Sequence, residues 1–205
     1  TYAMAHPYRT QLGIFENNNA RTVQQNGLFV DLGADMNNNP VVQGYDPRVD
    51  AMNNASEPVL ATFNTFQATK CQMYGAHTRG GYHAIVDAKI ASCFGGVRFA
   101  NAPFSTARQT MTRGLIQRVT QNAPTSVPNS SGALAGLPQR GIVPYGGPNT
   151  FQQVSLKGFN LPAGACIGPH GREPLSAGNV ISGIDCAGQS LFYVSAEAKQ
   201  TDNEK

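Results

Sequence analysis

Asparagine and proline clusters interrupt this chain so often that much of it has no room for a long regular element. In the first third, Asn17 to Asn19, Asn37 to Asn39 with Pro40, Asp46-Pro47 and Asn53-Asn54 all mark turns. Asparagine favours turns because its side chain bonds nearby backbone and tolerates the left-handed region. Between these clusters, Leu28-Phe29-Val30 reads as a short buried strand and residues 46–50 as a capped single helical turn. Residues 123–148 carry Pro124, Pro128, Pro138, Pro144 and Pro148, which exclude helix and argue against a central strand.

The remaining segments read mainly as strands. Phe63 and Phe66 sit in a Thr-rich run, and Tyr82, Ala84, Val86, Ala88 and Ile90 alternate with His83, Ile85, Asp87 and Lys89. That alternation is the period of a half-buried strand, with the first set expected to face the core. Val97 and Phe99 alternate after Gly95-Gly96, and residues 151–156, 180–184 and 190–195 complete the strand candidates. One segment, 105–120, repeats Ala107, Met111, Leu115 and Val119 every four residues and predicts an amphipathic helix. Its Arg108, Arg113 and Arg118 are spread around that helix and make no basic stripe.

The fold expected from these signals is mainly β: an antiparallel sandwich or barrel-like domain with one amphipathic helix and long loops. The chain is read as a single β-rich domain over 1–205. It comprises a loop-rich arm (1–59), strands plus helix (60–122), a Pro/Gly/Ser connector (123–148) and C-terminal strands (149–198).

Charged residues make up only 13% of the 205, about half the usual share, and the formal net charge is +3. Uncharged polar residues replace the missing charge, and such a surface costs less to desolvate against neighbouring subunits. With no basic stripe, direct nucleic-acid binding is not expected. No stretch is apolar enough to predict a membrane span, and no charged-then-apolar leader opens the chain.

Four cysteines are present. Cys71 and Cys93, 22 apart, and Cys166 and Cys186, 20 apart, are the natural local pairs if the chain matures in an oxidising compartment; in a reducing one they read as buried thiols. Each pair follows a phenylalanine, Phe66 or Phe159, an echo that suggests a duplication. Cys71, His77, His83 and Cys93 have the ligand types of a zinc site but not its close spacing, so no metal is expected. No elbow serine, zinc-protease, phosphate-loop or dinucleotide motif occurs, and no catalytic or cofactor-binding residue is assigned. His77, in the Gly-rich stretch 75–81, and His170, in Gly168-Pro169-His170-Gly171-Arg172-Glu173, are the histidines an unrecognised hydrolase or lyase site would use; His6 has no partner nearby in sequence. Residues 159–166, with Cys186 and the strand 191–194, are similar to the disulfide-bounded C-terminal region of type IV pilins. The long apolar N-terminal helix of that family has no counterpart in these residues, and membership is not assigned.

Low charge, uncharged-polar richness and long loops lead to one functional expectation. The chain is a non-enzymatic structural subunit of a larger ordered assembly, such as a virion capsid, cement or tail component, in a virion or extracellular assembly. Its expected partners are copies of itself and other structural proteins, with no cofactor. A secreted adhesin or pilus-associated binding module is the alternative that the local cysteine pairs favour.

Overall fold

Phe63-x-x-Phe66-x-Ala68-x-x-Cys71 sets a pattern of inward side chains that the chain repeats. Ile85, Ala88, Ile90 and Cys93 follow it, as do Phe151, Val154, Leu156 and Phe159, and all twelve side chains belong to one buried core. Met111, Gly114 and Ile116 share the spacing, with Gly114 lying where a Cβ would strike the end of Met111. Phe15, Ala20 and Val23 before them, and Ile181, Ile184 and Cys186 after them, keep it and pack against the same core. In each case two inward residues three apart flank a corner, and the chain changes direction between them.

The computed structural model of the chain describes residues 7–34, 40–42, 44–100, 108–118, 140–159, 166–168 and 178–187. The first strands are β1 (Asn19–Arg21) and β2 (Leu28–Val30), followed by a small antiparallel pair, β3 (Leu32–Ala34) and β4 (Pro40–Val42). Two three-strand coils follow: β5 (Ala61–Asn64), β6 (Gln67–Thr69) and β7 (Tyr74–Arg79), then β8 (His83–Val86), β9 (Lys89–Ala91) and β10 (Gly95–Ala100). Next come β11 (Gln109–Thr112), β12 (Leu115–Gln117) and β13 (Ile142–Tyr145). The last are β14 (Asn149–Gln152), β15 (Ser155–Lys157) and β16 (Val180–Ser182).

Equivalent strands of successive coils pair in parallel and build three walls: β5-β8-β11-β14-β16, β1-β6-β9-β12-β15 and β2-β7-β10-β13. They are called here walls A, B and C. This is a parallel β-solenoid, and its inner residues stack in register along each wall. Wall A stacks Phe63, Ile85, Met111, Phe151 and Ile181. Wall B stacks Ala20, Ala68, Ile90, Ile116 and Leu156. Wall C stacks Leu28, Ala76, Val97 and Ile142. Phe99 of wall C and Phe151 of wall A are stacked with ring centroids 5.3 Å apart, so the walls share one interior.

The corner between walls A and B is a left-handed residue, recurring as Asn17, Thr65, Asp87, Arg113 and Gln153, with φ between 49° and 56°, and as Gly183 at 59°. A side chain in this region costs about 1–2 kcal/mol. Its backbone N–H recovers a hydrogen bond to the next coil: Thr65 to Val86, Asp87 to Thr112, Arg113 to Gln152 and Gln153 to Ser182, at 2.9–3.1 Å. Side chains add to the ladder at this corner. Thr65 Oγ1 donates to Asn17 Oδ1 at 2.9 Å, and the Arg113 guanidinium grips both Asp87 oxygens at 2.9 and 3.0 Å.

These facts correct the expected fold class. The sheets are parallel, so the domain is neither an antiparallel sandwich nor an antiparallel barrel, and the described residues contain no helix. The expected helix of 105–120 is β11, a corner and β12. Thr110 and Thr112 favour strand, Arg113 at φ 53° turns the chain, and the four-residue spacing of Met111 and Leu115 merely spans that corner. Ala107 and Val119 lie outside the described residues. The expected single strand over 82–90 is likewise two strands hinged at Asp87. The hinge reverses the register, so His83 and Ile85 face inward before it and Ala88 and Ile90 after it, while Val86 is only half-buried. Residues 151–156 split the same way at Gln153. The single helical turn expected at 46–50 is absent; Tyr45 and Arg48 make isolated bridges to Gly80 and Pro58 instead.

Of the Pro-rich connector, 123–139 lies outside the described residues. Pro144 sits in β13, the last named strand of wall C, opposite Phe99, with only the isolated bridge from Ile142 to Ile167 beyond it among the described residues. An end strand is where a residue with no N–H is tolerated.

Candidate functional site

The outer face of wall C carries the densest group of charged and aromatic side chains among the described residues. Strand alternation puts it there: Ala76, Val97 and Ile142 point inward, so their neighbours point out. Phe29, His77, Arg98 and Val143 form one row across the four strands, and Arg79, Ala100 and Tyr145 the next. Asp31, directly after β2, joins this second row.

Asp31 is the hub. Its Oδ2 lies 3.0 Å from His77 Nε2, and Arg79 Nε donates to its Oδ1, with Arg79 Nη2 3.4 Å from Oδ2. The His77 ring meets Phe29 and Tyr74 edge-on, at 5.3 and 6.4 Å between centroids. His77 is 3% exposed and Asp31 9%, whereas Phe29 is 41% exposed. The carboxylate therefore anchors one guanidinium within the wall, with the imidazole packed against it and an exposed ring beside them.

Arg98 stands apart from that network. Its guanidinium lies 4.7 Å from the Tyr145 ring centroid and 6.0 Å from that of Tyr74. Burial pushes its pKa down, opposed by the Tyr74 phenol among other groups. Tyr74 in turn is held above the usual phenol range by burial, against the pull of Arg98 and Arg140. Arg140 runs past Gly168, where a Cβ would collide with its side chain.

A second polar group lies inside the solenoid. His83 Nε2 donates to the Tyr45 carbonyl at 2.8 Å, its Nδ1 lies 3.3 Å from Gln109 Oε1, and Thr78 Oγ1 donates to that same oxygen at 2.6 Å. The Tyr45 ring stacks on the imidazole at 5.4 Å. Burial lowers the His83 pKa to about 4, so the ring is neutral at pH 7.

The four residues considered for zinc do not converge. His77 faces outward on wall C, His83 faces inward on wall A, and Cys71 and Cys93 lie buried where wall B turns into wall C. Among the described residues no group of three or more His, Cys, Asp or Glu side chains is placed to hold a metal ion. Cys166 and Cys186 form a disulfide, with Cα atoms 6.1 Å apart, whereas Cys71 and Cys93 are free thiols. His6, His170 and residues 169–173 lie outside the described residues, as does the expected strand 190–195. Sequence reading singled out His77 but not Asp31, Arg79 or Arg98. Only the stacking of coils brings β2, β7, β10 and β13 side by side, and these residues share no motif.

No helix among the described residues is long and apolar enough to cross a membrane. The chain matches no protein-family model, and no curated protein is similar to it in sequence.

Proposed function

We propose that the chain is a non-enzymatic structural subunit of a larger ordered assembly, such as a virion capsid, cement or tail component. One observation carries this reading: the fold is a stack of in-register parallel coils whose end strands, among the described residues, pair on one side only. These are β1 and β2 at one end and β16 at the other. Such edges are templates for further pairing unless a neighbour or cap covers them, and solenoids gain stability from every coil added. A charge-poor exterior lowers the cost of covering them.

The His77 pair supports the non-enzymatic part of the reading. An acid–base imidazole must reach its substrate, and this one is buried against Asp31, Phe29 and Tyr74. A secreted binding module is the second reading, favoured by the Cys166–Cys186 disulfide, which belongs to an oxidising compartment.

Deleting Asn37–Asn39, which lie in the turn-forming stretch before Pro40, tests the proposal. Thermal unfolding should be nearly unchanged while the particle seen by electron microscopy shrinks or disappears. A deletion protein that assembles like the wild type would count against it.

A further inference from the structure

We infer that the outer face of wall C holds a binding site for an oxyanion, centred on Arg98 and flanked by Tyr74 and Tyr145, whether the oxyanion is free or is the carboxylate of an acidic sugar. This inference is independent of the assembly reading.

A guanidinium has five N–H donors in one plane and no acceptor. The Arg98 side chain makes neither a hydrogen bond nor an ion pair among the described residues, and its Nε is fully buried without an acceptor. The two tyrosines meet it only through cation–π contacts, which leave the N–H edge unpaired. The carboxylate on this face does not supply the missing partner, because Asp31 is already held by Arg79 through both its oxygens. A partly desolvated cation without an anion is costly, and a planar or tetrahedral oxyanion fits the guanidinium fork through paired hydrogen bonds. The Arg98 Nη groups are not among the fully buried unpaired atoms.

Surrounding charge points the same way. Arg79, Arg98 and Arg140 gather around Tyr74 and Tyr145, with Asp31 the carboxylate among them. The tyrosine rings and the exposed Phe29 add flat apolar surface of the kind a sugar ring packs on.

The test is isothermal titration of the full chain with sulfate, phosphate and glucuronate at matched ionic strength, using chloride as the blank. The wild type should bind at least one of them saturably. Arg98→Gln should weaken binding by about tenfold or more, the loss expected for one charge-assisted contact. Arg113→Gln, at the exposed wall A–B corner, should bind like the wild type. Tighter binding of glucuronate than of the inorganic ions identifies an acidic saccharide as the source, and the reverse order identifies a free oxyanion; either supports the site. Heats equal to the chloride blank in the wild type, or undiminished binding by a folded Arg98→Gln protein, would overturn it.

Discussion

The backbone N–H of Cys71 donates to the sulfur of Cys93, 3.3 Å away and 22 residues later. The two cysteines hold the same place in successive coils, where wall B turns into wall C. The two thiols also meet each other: their side-chain hydrogen bond lowers the Cys71 pKa and raises that of Cys93, where burial adds to the rise and the Cys71 N–H opposes it. Alkylation after unfolding without reductant should therefore label these two residues. Cys166 and Cys186 should react only after reduction. Four labelled cysteines without reductant would show that the disulfide is absent, and none would show that Cys71 and Cys93 are joined.

That pair also shows how much of the fold was legible in the sequence. Although β11 and β12 read as a helix and β13 as part of a connector, other strands were legible: Leu28–Val30 and segments within 82–90, 97–99, 151–156 and 180–184 read as β, because turn residues bound them and β-branched and aromatic residues fill them. Their direction was not. The 22-residue spacing of Cys71 and Cys93 read as a local loop or half of a duplication, when it is the height of one coil. Phe63, Ile85, Met111, Phe151 and Ile181 are stacked equivalents, yet they are separated by 22, 26, 40 and 30 residues. Insertions between coils blurred the period that would have revealed a solenoid. The left-handed corners hid the rest, because Thr65, Arg113 and Gln153 are not residues from which a positive φ is anticipated.

Removing the disulfide should weaken the C-terminal end of the solenoid. It closes a loop of 20 residues, and constraint of the unfolded chain is worth about 3 kcal/mol for a loop of this size. Replacing both Cys166 and Cys186 by alanine should lower the denaturation midpoint accordingly. A midpoint unchanged from the wild type would mean that the last coil contributes little to the cooperative unit.

The interior is tested at Phe99, which is fully buried against Phe151 across the solenoid. Phe99→Ala should cost about 3–5 kcal/mol, the usual loss for a buried phenylalanine. Arg113→Gln, at an exposed corner, should leave the midpoint nearly unchanged, because solvent screens its pair with Asp87. Equal effects of the two substitutions in urea unfolding would contradict the assigned interior.

His83 makes stability depend on pH in a defined direction. The unfolded imidazole takes up its proton near pH 6.5, whereas the buried one does so only at about 4. Between these values the unfolded chain binds more protons, so stability is fully present above about pH 7 and falls as the pH drops toward 4. The total loss is about 3 kcal/mol. His83→Gln should remove this part of the pH profile, whatever its effect at neutral pH. A profile that keeps the same slope between pH 7 and 4 in that variant would place the titrating group elsewhere.

The central claim, that this solenoid is one unit of an ordered assembly, is tested most directly by sedimentation velocity of the untagged 205-residue chain over a wide concentration range. The strands β1, β2 and β16, paired on one side only among the described residues, predict species larger than one chain, growing with concentration and reverting to monomer when Ile181→Asp puts a charge on the inward face of the last strand of wall A. A wild-type chain that sediments as a monomer at every concentration would contradict the account.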